Sequence, residues 1–181
     1  MIQPQIFVSH SQKDAEIRMH FNEILSQTGV IPKCMEFEKM NYLAWKVIRE
    51  AIHDSAAVFL LLGANVRGSI FTQNWIAFEV GAACAYNKDM WVLEQNGSNI
   101  GFAIPYVTDY LQYTMFDSNH FQYVKKVIEA YRENNNSLIK VKAIPRDTQF
   151  ACPHCHNIYW VHQIIGSFSC PYCCKSNLGI M

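Results

Sequence analysis

Two groups of residues in this chain have types and spacings that could do chemistry. The first lies in Thr72–Ala83, TQNWIAFEVGAA, where Trp75 and Glu79 stand four residues apart. On a helix that spacing sets both on one face. Glu79 is flanked by Phe78 and Val80, and the small residues Gly81, Ala82 and Ala83 leave room for a molecule to approach it. A carboxylate in such apolar surroundings acts at low dielectric, where it stabilises a developing positive charge strongly. Burial alone offers a plainer account, with Trp75 in the core and Glu79 solvated at the helix edge.

The second group is the tail, CPHCHNIYWVHQIIGSFSCPYCCK. Two Cys-Pro-x-Cys pairs, Cys152/Cys155 and Cys170/Cys173, are separated by 14 residues. Each pair lets two sulfurs reach one ion from a tight turn, and two such turns give a tetrahedral thiolate set for Zn2+. A redox dithiol and an iron–sulfur site are the other readings. The knuckle pattern favours Cys173 as the fourth ligand, with Cys174 the alternative. His154, His156 and His162 are close in sequence, but four cysteines already fill the site. Four protein ligands leave no open position for water, so the zinc is expected to be structural, supplying folding energy to a module too small for its own core. YWV and IIG between the pairs are expected to be the two arms of a small hairpin.

The elements that must position these residues follow from periodicity. Ile6–Ser9 is a short apolar strand that runs into the polar HSQKD, and Ala15–Gln27 has helical spacing, stopped by Gly29. A second strand within Val30–Glu36 leads into the charged EFEKMN, then a helix over Tyr42–His53. Ala57–Leu62, AVFLLL, is a continuous apolar run that suits a central strand covered on both faces. After a loop over Arg67–Ser69, Thr72 can cap the helix carrying Trp75 and Glu79. Met90–Leu93 is a fourth strand, a short one is expected within Val107–Phe116, and Asn119–Arg132 is an amphipathic helix. This alternation predicts an α/β fold, a parallel sheet with helices on both faces. Ligands of such sheets bind outside the strand carboxyl ends. Ser9-His10-Ser11, the loop from Glu36 to Asn41, and the Glu79 helix all leave that rim. Lys39 and Arg67 read as solvated loop charges.

The chain has 181 residues, half of them hydrophobic, enough for one α/β domain and a small module. Asn134–Asn136 marks a boundary, giving a domain over 1–136, a linker over 137–148 and a ribbon over 149–181. Lys+Arg and Asp+Glu are 15 each, so the net charge is zero, which argues against a general nucleic-acid binder. The balance hides two parts: 11 basic against 14 acidic residues in 1–136 make −3, and 4 against 1 in 137–181 make +3. Nucleic acid is therefore a partner only through the ribbon, with subunit assembly the other role for it. No apolar run approaches the roughly 20 residues of a membrane helix, and the start has no signal-peptide pattern, so a cytoplasmic protein is expected. Cys34 and Cys84, in apolar sequence surroundings, are expected to be buried thiols.

IFVSHSQKD, AAVFLLLGANV and TQNWIAFEVGAA resemble the TIR domain in the form found in bacterial and archaeal anti-phage defence, including Thoeris systems. The resemblance covers about residues 4–133, and its specific parts are FVSHS..D and the Trp-x-x-x-Glu helix. It implies a flavodoxin-like domain that consumes NAD+, releasing nicotinamide and in some members forming a cyclic ADP-ribose signal for a downstream effector that senses a nucleotide product. Residue by residue it implies Glu79 as catalytic, and Ser9, His10, Ser11, Phe37 and Trp75 as binding NAD+. It also implies self-association through the domain. EFEKMN lacks the Arg-Asp-x-x-Pro-Gly pattern of receptor TIR domains, and the four-cysteine zinc ribbon is not part of the usual domain. Two other readings are a non-enzymatic TIR adaptor or sensor, and a nucleoside deoxyribosyltransferase-like enzyme with a covalent intermediate on the glutamate.

Overall fold

The computed structural model describes residues 4–34, 44–98, 104, 107–134, 148–151, 154–155, 158–161, 167–169, 173 and 176–178. Five strands make one sheet: β1 (Gln5–His10), β2 (Ile31–Cys34), β3 (Ala57–Leu62), β4 (Asp89–Gln95) and β5 (Asp109–Tyr113). Their order is β2-β1-β3-β4-β5, every pair parallel. This is the order of flavodoxin-like doubly wound sheets, in which the chain reverses direction at β1/β3. Four helices flank it: α1 (Ala15–Ser26), α2 (Ala44–Asp54), α3 (Ile70–Ala85) and α4 (Ser118–Asn134).

Strand alternation divides the core into two layers. Ile6, Val8, Phe59, Leu61, Trp91 and Leu93 pack with the inward residues of α1 and α4. Phe7, Val58, Leu60, Leu62, Met90 and Val92 pack with those of α2 and α3. β3 is buried at all six positions, as a strand covered on both faces must be. α1 presents Ile17, Phe21, Ile24 and Leu25 inward, a helical stripe. Gly29, at φ +68°, turns the chain back into β2 where a side chain would be strained. Tyr131 ties α4 to the sheet, donating to Asp89 Oδ2 at 2.5 Å and accepting from Trp91 Nε1 at 2.8 Å.

Several expectations are corrected. Cys34 and Cys84 are exposed, not buried. Cys34 belongs to β2, an edge strand containing Pro32 and exposed along its length, and Cys84 lies off the buried stripe of α3. The cap of α3 is Ser69, whose Oγ accepts from Thr72 N–H at 3.2 Å. The helix therefore starts two residues before Thr72.

Beyond the main sheet, β6 (Thr148–Ala151) pairs antiparallel with β7 (Ile158–Val161), and β8 (Ser167–Ser169) with β9 (Ser176–Leu178). YWV thus pairs with the strand before the first cysteine pair, whereas residues 164–166 lie outside the described ones. The boundary at 135–136 and the linker lie outside them too. β7 and β8 lie against β5. Within the edge strand β5, Leu111 and Tyr113 are buried in the α1/α4 core layer and Gln112 bonds to Glu94 on the other face.

Candidate functional site

The site is built where β1 and α3 meet. Ser9 is the penultimate residue of β1, beside Leu60 of β3. Phe7, two residues earlier, packs in the α2/α3 layer, so alternation aims Ser9 at the same layer. α3 turns Ile76, Glu79, Val80 and Ala83 toward the sheet. That spacing is a buried helical stripe, and Glu79 occupies a position in it that an aliphatic residue would normally fill. Ser9 Oγ donates a hydrogen bond to Glu79 Oε2, joining two elements 70 positions apart. Glu79 is only 1% exposed, so the account that left it solvated at the helix edge is overturned.

The other carboxyl oxygen, Oε1, is buried and makes no hydrogen bond among the described residues. Leaving such a group unmatched costs about 1–3 kcal/mol, a cost usually relieved by a partner. Burial pushes the Glu79 carboxyl up from 4.5 to about 8, and the Ser9 hydroxyl, which favours the charged form, offsets only part of that. Desolvation wins because no charged side chain among the described residues acts on the group. Burial therefore favours the neutral carboxyl over the carboxylate. A cation placed against it would favour the carboxylate.

The other sequence-predicted residues fall around this pair unequally. Trp75 is half-buried, one turn before Glu79, with its ring edge-on to Phe71 at 6.2 Å and to Phe78 at 5.8 Å. Ile70 and Phe71, where α3 leaves the rim, are exposed. His10 and Ser11 are buried beyond Ser9, but alternation turns His10 to the opposite face. His10 Nδ1 lies 3.2 Å from the Ser11 carbonyl oxygen, and Ser11 Oγ accepts from Lys13 N–H at 3.3 Å. Arg67 is exposed. Phe37 and Lys39 lie outside the described residues.

Two more carboxyl groups are buried at the same rim: Glu94, which the sequence reading passed over, and Asp14, the aspartate of FVSHS..D. Glu94, near the end of β4, is 1% exposed and accepts from Ser98 Oγ at 2.9 Å, Gln112 Nε2 at 2.7 Å and the Tyr110 hydroxyl. The signal was a charged residue closing the apolar run MWVLE. Asp14 is 6% exposed and bonds to Asn65 in the loop after β3.

Of the four expected metal ligands, Cys155 and Cys173 are described. One comes from each Cys-Pro-x-Cys pair, both are half-buried, and both pack against the α1/α4 core layer. Each pair falls between the strands of its own antiparallel hairpin. In sequence, two Cys-Pro-x-Cys pairs suit a four-thiolate ion. Cys152, Cys170 and Cys174 lie outside the described residues.

Fold and site together define a doubly wound α/β protein with a buried, incompletely bonded carboxyl next to the reversal point of its parallel sheet. Comparison with known families finds no matching family model, and comparison with curated proteins finds no match. Among the described residues no helix is long and apolar enough to cross a membrane.

Proposed function

We propose that this protein is a TIR-type enzyme that cleaves the nicotinamide–ribose bond of NAD+, with Glu79 as its catalytic carboxylate, acting in antiviral defence. The observation that carries the proposal is the pair Ser9–Glu79: a carboxyl group buried in the α3 stripe, fixed through one oxygen by the end of β1, with the other oxygen unmatched. The nicotinamide of NAD+ is a cationic leaving group that departs neutral, so the step needs no general acid. Positive charge develops on the ribose as the bond breaks, as in glycoside cleavage. A bound cationic substrate lowers the carboxyl's proton affinity, so Glu79 becomes charged in the complex and stabilises that charge. Ser9 holds one oxygen, which leaves Oε1 for the ribose hydroxyls. Trp75 and Phe71, at the rim end of α3, offer aromatic surface to a flat base.

In the tail, Cys152, Cys155, Cys170 and Cys173 would hold a structural Zn2+, for which the two hairpins provide the support. The ion would stabilise the module and take no part in the reaction.

Incubation of the purified protein with NAD+, with release of nicotinamide followed by chromatography, tests the reading. The expected outcome is release by the wild type and none by Glu79→Ala or Glu79→Gln. Release that survives either substitution overturns the assignment. The adaptor reading would gain from a solvent-exposed Glu79 with no pocket above it; Glu79 is buried.

A further inference from the structure

The geometry points to Asp14 and Asn65 as a clamp between the β1 and β3 loops that sets the alignment of Ser9 with Glu79, making both of them positioning residues for the site. Asp14 precedes α1 at its N-cap, where an aspartate ordinarily accepts from the helix's own first N–H groups. Here its side chain makes no capping bond. It reaches instead to the loop after β3, where Oδ1 accepts from Asn65 N–H at 3.0 Å and from Asn65 Nδ2 at 2.7 Å. Asn65 Nδ2 also donates to the Lys13 carbonyl at 3.2 Å. The helix forgoes a cap of its own so that two loops 51 positions apart can be joined.

The approach is close. A Cβ on Gly63 would lie 2.3 Å from Asp14 Cγ, so the carboxyl rests directly on the backbone that follows β3. This is the point where the sheet reverses its winding, and the two loops depart to opposite faces.

From Asn65 the connection to Glu79 is stiff. Val66 is fully buried and its N–H donates to the Gly63 carbonyl at 3.2 Å. Ser69 N–H donates to the Val66 carbonyl at 3.2 Å, and Ser69 caps α3. Gln73, on the first turn of α3, reaches back to the carbonyls of Val66 and Arg67 at 3.2 and 2.9 Å. At about 1.5 Å of rise per residue, Glu79 stands roughly 14 Å along α3 from its start. A loop released from Asp14 would let α3 shift against β1, and the Ser9–Glu79 bond spans that junction.

The test does not depend on which ligand the site takes, because its readout is the burial of Glu79. Unfolding by urea is followed at pH 5 and pH 9 in pairs of proteins, one member keeping Glu79 and the other carrying Glu79→Gln. In the wild-type background the Glu79-specific change in the unfolding constant is expected to be roughly 700-fold between those pH values. With Asp14→Ala, water reaches the carboxyl and the change is expected to shrink by at least about tenfold. Asp14→Asn keeps an acceptor at Oδ1 and is expected to restore it. Should Asp14→Ala fail to fold, Asn65→Ala carries the same comparison, since it deletes the Nδ2 bonds and keeps the backbone N–H. A variant that loses stability equally at both pH values, with the Glu79-specific change intact, overturns the proposal. It would make the clamp a general brace with no hold on the site.

Discussion

Replacing Glu79 by Gln should stabilise the folded protein in mildly alkaline solution while removing its activity. Burial raises the carboxyl from 4.5 to about 8. Between those pH values the native state holds a proton that the unfolded chain has released, so folding loses stability as pH rises. The contribution is fully present below pH 4.5, declines through the interval, and is gone above pH 8. From pH 5 to pH 9 the loss comes to about 4 kcal/mol, at about 1.36 kcal/mol per unit. For a urea dependence of about 2 kcal/mol per molar, the midpoint falls by about 2 M. Glutamine has the same shape and nothing to ionise. At pH 5 the two proteins should agree within about 1 kcal/mol, since each leaves one buried polar atom unmatched. At pH 9 Glu79→Gln should be the more stable by about 4 kcal/mol. The remaining titrating groups act on both proteins, so urea curves for the pair at the two pH values isolate this carboxyl. Ser9→Ala, which removes the bond favouring the charged form, should widen the gap. Parallel stability profiles for wild type and Glu79→Gln would refute the reasoning, because they would mean that water reaches the carboxyl in the folded state.

Three further outcomes follow from the same geometry. If the free enzyme must present a carboxylate, kcat/KM for NAD+ should rise about tenfold per pH unit below about 8 and level off above it, as rates measured across that range would show. Gly63→Ala should destabilise the fold by about 1–3 kcal/mol in thermal or urea unfolding, since the added methyl group would meet the Asp14 carboxyl at 2.3 Å and that carboxyl is tied to Asn65. Chelation should release about one equivalent of zinc per chain. On the zinc proposal it should also speed hydrogen exchange at Leu111–Tyr113, beside which β7 and β8 lie; unchanged exchange there would show that their docking needs no metal.

The order of strands and helices is legible because each element has its own period. AVFLLL is a run that only a strand covered on both faces can bury, and the α1 and α4 stripes repeat every three to four residues. Glu79 is legible as an anomaly, a carboxyl in an apolar helix near a tryptophan. Thiol burial is not, because apolar neighbours in sequence do not fix which way a side chain faces. Cys34 sits on an edge strand and Cys84 on the outer side of α3. Thr72 is a plausible cap by type, but Ser69 holds the place because the loop from Gly63 is pinned three residues earlier in its course, at Val66.

The sequence by itself determined the alternation and the two layers of apolar residues, since these depend on neighbours within a few residues. Only the tertiary structure decided that Ser9 bonds to Glu79, that Asp14 reaches Asn65, and that the tail hairpins cover β5. Each of those contacts joins residues far apart in the chain, and no local periodicity encodes them. The first two arise when the parallel sheet brings the carboxyl ends of β1 and β3 side by side. That arrangement, more than any single residue, turns a buried glutamate into a candidate site.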